Sequence, residues 1–103
     1  MADSYKIGGE RTAGGSATIL RISGELDINA RDDLREALLR ALADGDVVVD
    51  LADVSFLDSE ALGALIDGWN ASRDRGAGFR VVNPRDMVDR VLQVSGAKDL
   101  FDS

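Results

Sequence analysis

The chain contains no cysteine and no histidine. Without cysteine there is no disulfide, no thiolate metal site and no thiol nucleophile. Without histidine, the commonest general base and the commonest metal ligand are both missing. A Ser-His-Asp triad is therefore excluded, and so are the usual zinc sites. Proline occurs once, and aromatic residues make up only 5% of the sequence. Basic residues are also few, 12 against 19 acidic ones, for a net charge of −7. A chain of that sign is repelled by phosphate backbones, so no direct nucleic-acid binding is expected. Anionic membrane surfaces are disfavoured for the same reason. No apolar run approaches the roughly 20 residues of a membrane span. Met1 to Gly9 is polar and lacks the apolar segment of a signal peptide. The expectation is a soluble, cytoplasmic protein.

What is present fits one small domain. The length of 103 residues allows a single compact unit, and 45% apolar residues suffice for one core, placed at about residues 5 to 101. There is no internal repeat, linker or low-complexity segment. Tyr5 to Gly8 reads as a short strand, and Gly8, Gly9, Gly14 and Gly15 flank a polar hairpin turn. A second strand, Ala17 to Ser23, follows, and Gly24-Glu25-Leu26-Asp27 leaves it. Asn29 is placed to cap a helix to about Ala43, with Ala30, Leu34, Ala37, Leu38, Ala41 and Leu42 on one face. Val47 to Leu51 is nearly continuously apolar, as in a central strand buried on both faces. A second helix runs from Asp58-Ser59 to about Arg75, with Leu62, Leu65, Ile66 and Trp69 apolar. Phe79 to Val82 is another strand, and Asn83-Pro84 reads as a cap followed by proline at the first helical position. Met87, Val88, Val91 and Leu92 give a third helix its stripe, Gly96 ends it, and Leu100-Phe101 reads as the stub of a last strand. The order β-β-α-β-α-β-α-(β) predicts an α/β domain. Its mixed sheet has an antiparallel N-terminal hairpin at one edge and right-handed crossovers between the parallel strands.

The turn Phe56 to Gly63 is the candidate site. It follows a buried strand and opens a helix, and in open α/β sheets ligands bind beyond the carboxyl ends of strands. A serine at a helix start can cap it, or its hydroxyl can accept a phosphate that the free N–H groups would hold. On the pattern alone, capping is the plainer role. If Asp58 is the cap instead, Ser59 falls at the first helical position with its hydroxyl exposed. Asp27, Asp50, Asp53, Asp58 and Glu60 have the oxygen chemistry of a magnesium site, but read better as turn and cap residues that solvate loop ends, so no metal is expected. The glycines at 8, 9, 14 and 15 match neither a dinucleotide fingerprint nor a phosphate loop, so no cofactor is expected. Trp69 lies on a helical stripe and reads as core. Arg73, Arg75, Arg80 and Arg85 form a basic edge open to solvent or to an acidic partner, and the acidic face near the first helix could meet a basic one.

Two segments together, Gly24-Glu25-Leu26-Asp27 and Val47 to Gly63, resemble the STAS-domain anti-sigma factor antagonists, the bacterial anti-anti-sigma factors. The "GELD" tetrapeptide is weak alone. The pattern DL-x-x-V-x-F-x-DS-x-x-LG after a valine-rich strand is more specific, and the likeness covers about residues 5 to 101, closing with "VLQVSG" before a final strand. The resemblance implies a STAS fold and a regulatory binding protein that is not an enzyme. It would bind an anti-sigma factor that is also a serine kinase and so free the sigma factor. The kinase would phosphorylate Ser59 and lose its hold, and a serine phosphatase would reset the switch. Asp27, Asp58, Ser59, Glu60 and Leu62 would form the partner surface. Two departures stand out. The family commonly reads DSSGLG, where this chain has Glu60 and Ala61 in place of the second serine and the glycine. Relatives also continue into a further helix beyond the position of Ser103, so apolar surface near Leu100 and Phe101 is expected to lie open and to favour self-association.

Three rival readings stay open. Glu60, a fixed charge beside the acceptor position, could mark a STAS scaffold that takes no phosphate and binds a partner constitutively or belongs to a larger regulatory assembly. A receiver-type domain would use Asp50 at a strand end as acceptor, although this chain opens with two strands where a receiver alternates strand and helix. A carboxylate-assisted hydrolase would use Asp27 and Asp58 as acid and base, at a separation that the sequence does not fix.

Overall fold

The structure, a computed structural model, describes residues 4–102. β1 (Tyr5–Arg11) and β2 (Ala17–Leu26) form the expected hairpin, antiparallel from Tyr5 opposite Gly24 to Arg11 opposite Thr18. Its turn is closed by Thr12 N donating to Ala17 O at 2.9 Å, and Gly15 takes the left-handed φ of 68° that the bend requires. α1 (Arg31–Ala43), β3 (Asp46–Leu57), α2 (Ser59–Arg75), β4 (Phe79–Val82), α3 (Asp86–Ser95) and α4 (Ala97–Phe101) follow. The sheet order is β1-β2-β3-β4, with β2, β3 and β4 parallel. The mixed sheet with an antiparallel edge is thus as the sequence predicts.

β3 is much longer than the run Val47–Leu51. Its buried residues are Val47, Val49, Leu51, Val54 and Leu57, so the alternation slips by one residue twice. At each slip β3 spends one residue more than β2. Arg21 to Ser23 spans Asp50 to Asp53, and Gly24 to Glu25 spans Val54 to Phe56. These bulges break the period of two and hide the second half of the strand from a pattern search. β2 likewise runs through Gly24-Glu25 to Leu26, which was expected to lie beyond its end.

Four other expectations are corrected. Asn29 does not cap α1. Asp27 caps a single 3-10 turn, Ile28–Ala30, that leads into it. Asn83-Pro84 does not open α3. Its N-cap is Arg85, while Asn83 (φ 58°) and Asp86 (φ 42°) are left-handed, and Asn83 Nδ2 donates to Asp50 Oδ1 at 3.2 Å. The bend serves that contact with β3 and displaces the helix start. Leu100-Phe101 is not a strand but part of α4. Ala97 and Phe101, four residues apart, are both buried on one helical face. The Phe101 ring lies 5.8 Å from that of Phe79, so among the described residues the open apolar patch expected there is absent. Phe101 is 6% exposed, and Leu100 packs against the core.

The core lies where Leu20 and Ile22 of β2 and Val47, Val49 and Leu51 of β3 meet Leu34, Leu38 and Leu42 of α1 and Leu65 of α2. Gly68 lets α2 approach closely: a Cβ there would stand 2.9 Å from Leu38 Cδ1 and 3.1 Å from Phe79 Cε2. Both neighbours are buried and cannot swing clear. Gly68→Ala should therefore lower stability by about 1 kcal/mol, because overpacking outweighs alanine's better helix propensity. Thermal melting checks this, with a fall of several degrees expected, and a rise would show that the α2 contact has slack.

Candidate functional site

The parallel register sets Leu26 opposite Leu57, so β2 and β3 end level. Each strand then runs Leu-Asp into a helical start. Asp27 Oδ1 accepts from Asn29 N at 2.9 Å, and Asp58 Oδ1 accepts from Glu60 N and Ala61 N, both at 3.0 Å. Asp58 N donates to Leu26 O at 3.0 Å and ties the two turns together. These are ordinary N-cap bonds, and both carboxylates are occupied by backbone amides. With Asp58 as the cap, Ser59 stands at the first position of α2, exposed, and among the described residues its hydroxyl has no hydrogen-bond partner.

Glu60 is also exposed, but it is not free. Its Oε1 accepts from Arg31 Nη1 at 2.7 Å, and Arg31 Nε also reaches Asp32 Oδ1 at 3.2 Å. The bonds to Glu60 and then to Asp32 raise the Arg31 guanidinium above its ordinary pKa. Two helical turns further along α2, Asp67 Oδ2 accepts from Arg35 Nη2 at 2.7 Å and Nε at 3.1 Å. Leu62 differs from the expectation of a surface contact: it is 7% exposed and belongs mainly to the core. It lines a groove of about 400 Å³ between α2 and α3, shared with Ser59, Met87, Arg90, Val91 and Val94.

The groove was not foreseen. Its signal is present in the sequence, because Met87, Val91 and Val94 lie at helical spacing beside the buried pair Val88 and Leu92. That gives α3 more apolar surface than one stripe needs. Val94 is 81% exposed, Met87 41% and, near the end of β2, Ile28 54%. A larger hollow of about 650 Å³ between β1 and α1 is lined by charged groups that bind one another. Arg40 pairs with Glu36, and the Tyr5 hydroxyl donates to Asp33.

Other sequence candidates separate. Asp50 is not at a strand end but within β3. Its Oδ2 accepts from Arg21 Nη1 at 3.2 Å, and its Oδ1 from Ala52 N and Asn83 Nδ2. A receiver-type acceptor at a strand end is therefore not what Asp50 is. The four arginines fall on two elements and at one helix start: Arg73 and Arg75 end α2, Arg80 is in β4, and Arg85 stands at the N-cap position of α3. The Arg73 guanidinium lies 4.8 Å from the Trp69 ring centroid, a cation–π contact. Among the described residues no group of three acidic side chains converges to hold a metal ion, and no helix is long and apolar enough to cross a membrane.

Paired strand ends thus feed two capped helix starts inside a mixed sheet of order β1-β2-β3-β4. Residues 10–103 match the STAS domain pattern, and the chain belongs to that family. Among curated proteins it is similar to the anti-sigma-B factor antagonist of Bacillus subtilis, 30% identical over 84 residues, which is 81% of this chain and 77% of that protein. Among solved structures it is similar to an anti-sigma factor antagonist from Mycobacterium paratuberculosis, 27% identical with a TM-score of 0.83 over 95% of this chain and 83% of the other. The fold is also that of the anti-sigma factor antagonist SpoIIAA in its unphosphorylated form, 22% identical with a TM-score of 0.76 over 88% and 81% of the two chains.

Asp58→Ala removes both amide bonds at the start of α2 and should cost about 1 kcal/mol of unfolding free energy. Asp58→Asn, which keeps an acceptor oxygen, should retain most of it. Urea titration distinguishes them, and equal loss in the two would mean that capping is not the carboxylate's main role.

Proposed function

We propose that this protein is an anti-sigma factor antagonist whose binding to an anti-sigma factor is switched off by phosphorylation of Ser59. The observation that carries the reading is the free Ser59 hydroxyl at the first position of α2, left uncommitted because Asp58 does the capping. The name borne by the curated relatives supports the partner class. In this reading the protein is a binding partner rather than an enzyme and works in the cytoplasm. The anti-sigma factor is also the serine kinase, and a serine phosphatase restores the unmodified form.

Phosphoryl transfer forms a bond between Ser59 Oγ and the terminal phosphorus of a nucleoside triphosphate. The bond from that phosphorus to the bridging oxygen breaks, the nucleoside diphosphate leaves, and the hydroxyl proton passes to a base or to solvent. The product carries about −1.5 to −2 charges at neutral pH. Asp27, Asp58 and Glu60 bound the same face, and Leu62 floors the groove beside it, so the new charge makes a close-fitting interface unfavourable. The start of α2 tolerates an anion, because its amides and dipole favour negative charge. The switch therefore acts on docking and leaves the fold intact. Glu60, which stands where the family commonly has serine, is held by Arg31, so a carboxylate one residue from the acceptor is already countered.

Ser59→Asp should weaken binding to the anti-sigma partner at least tenfold, roughly 1.4 kcal/mol, with an unchanged melting curve. Ser59→Ala should bind like the unaltered protein and take no label from the partner kinase and ATP. Calorimetry and a labelling assay read the two effects. Equal affinities for the unaltered protein and Ser59→Asp would sink the switch. If Ser59 takes no label from any partner kinase, the reading becomes a constitutive binder.

A further inference from the structure

We propose that Arg90 receives the phosphate once Ser59 carries it. The inference rests on the phosphorylation reading above and names what holds the modified side chain. Arg90 stands on α3 and lines the same groove as Ser59, together with Leu62, Met87 and Val91. It is exposed, and among the described residues its guanidinium has no ion pair and no hydrogen bond. Arg11, Arg21, Arg31, Arg35 and Arg40 are each paired with a carboxylate, and Arg73 lies over Trp69. Arg75, Arg80 and Arg85 do not line this groove. The acid next to Arg90, Asp89, is held by Lys98 Nζ at 3.0 Å and Gln93 Nε2 at 2.8 Å.

A phosphate on Ser59 gains charge between Asp58 and Glu60 and needs a cation. Arg31 is already bound to Glu60, so Arg90 is the groove's available guanidinium. Its planar fork matches phosphate oxygens in a way that an ammonium does not. Such a pair would cross the groove that Leu62 and Val91 also line. Phosphorylation then does two things to a partner: it adds negative charge, and it withdraws the apolar groove.

The test needs no kinase. Phosphoserine is installed at position 59 during translation in the full chain, and its 31P resonance is followed against pH. The second phosphate ionisation lies near 6 for free phosphoserine. A facing cation favours the dianion, so this ionisation should fall by about half a unit relative to Arg90→Gln. Asp27, Asp58, Glu60 and Asp86 oppose the shift, but they are common to all variants. Arg90→Lys should keep part of the shift, and Arg85→Gln should match the unaltered protein. Coincident titrations for the unaltered protein and Arg90→Gln overturn the pairing. An equal shift from Arg85→Gln overturns it too, since it would show only the general field of the basic residues. Because the phosphate is placed by translation, these outcomes are independent of whether a kinase accepts Ser59, which the labelling assay decides.

Discussion

The hydrogen bond from Asp58 N to Leu26 O is the contact on which the site depends. It closes the parallel pairing of β2 and β3 at its last rung and holds two Leu-Asp turns side by side. Each aspartate then caps the helical segment that follows, and each cap removes orphan amides from the same face. The serine after the second aspartate has no structural task left. Its freedom is the consequence of a neighbour doing the job that a serine in this position often does. The candidate site is therefore an outcome of backbone pairing and capping, with no catalytic apparatus needed to explain it.

The sequence displays the alternation of elements because local signals agree there. Hydrophobic stripes at helical spacing mark α1, α2 and α3, and Gly76 and Gly96 end two of them with left-handed φ values of 68° and 82°. The Asp58-Ser59 turn is legible for the same reason: strand, cap and helix succeed one another within a few residues. Reading fails where tertiary contacts outrank local preference. β3 looks short because its bulges interrupt the alternation. Asn83-Pro84 has the chemistry of a helix start, but Asn83 is drawn to Asp50 and the helix begins later. Leu100-Phe101 looks like a strand stub, yet Phe101 is fixed by Phe79, more than twenty residues earlier in the chain.

The site shows the same division. Asp27, Asp58 and Ser59 can be picked out as short motifs, since the two aspartates act on amides a few residues away and the serine directly follows the second. The partner of Glu60 cannot, because Arg31 lies 29 positions earlier and meets it only when α1 and α2 pack. The exposed apolar stripe of α3 sits between these cases. Its spacing is visible in the sequence, but which of two adjacent stripes faces the core is decided by the sheet it packs on.

The ion pairs between α1 and α2 have a polarity. At the seam α1 supplies only cations, Arg31 and Arg35, and α2 only anions, Glu60 and Asp67. Such a seam works as a ratchet with one seated position. Sliding α2 by one turn, roughly 5.4 Å, would separate both pairs or leave one charge of each sign stranded. Axial slippage of the helices is thus resisted even though each exposed pair adds little to stability. The beginning of α2 is held at a fixed height above the end of β2, so whatever docks there meets a surface indexed along its length as well as anchored at its tip.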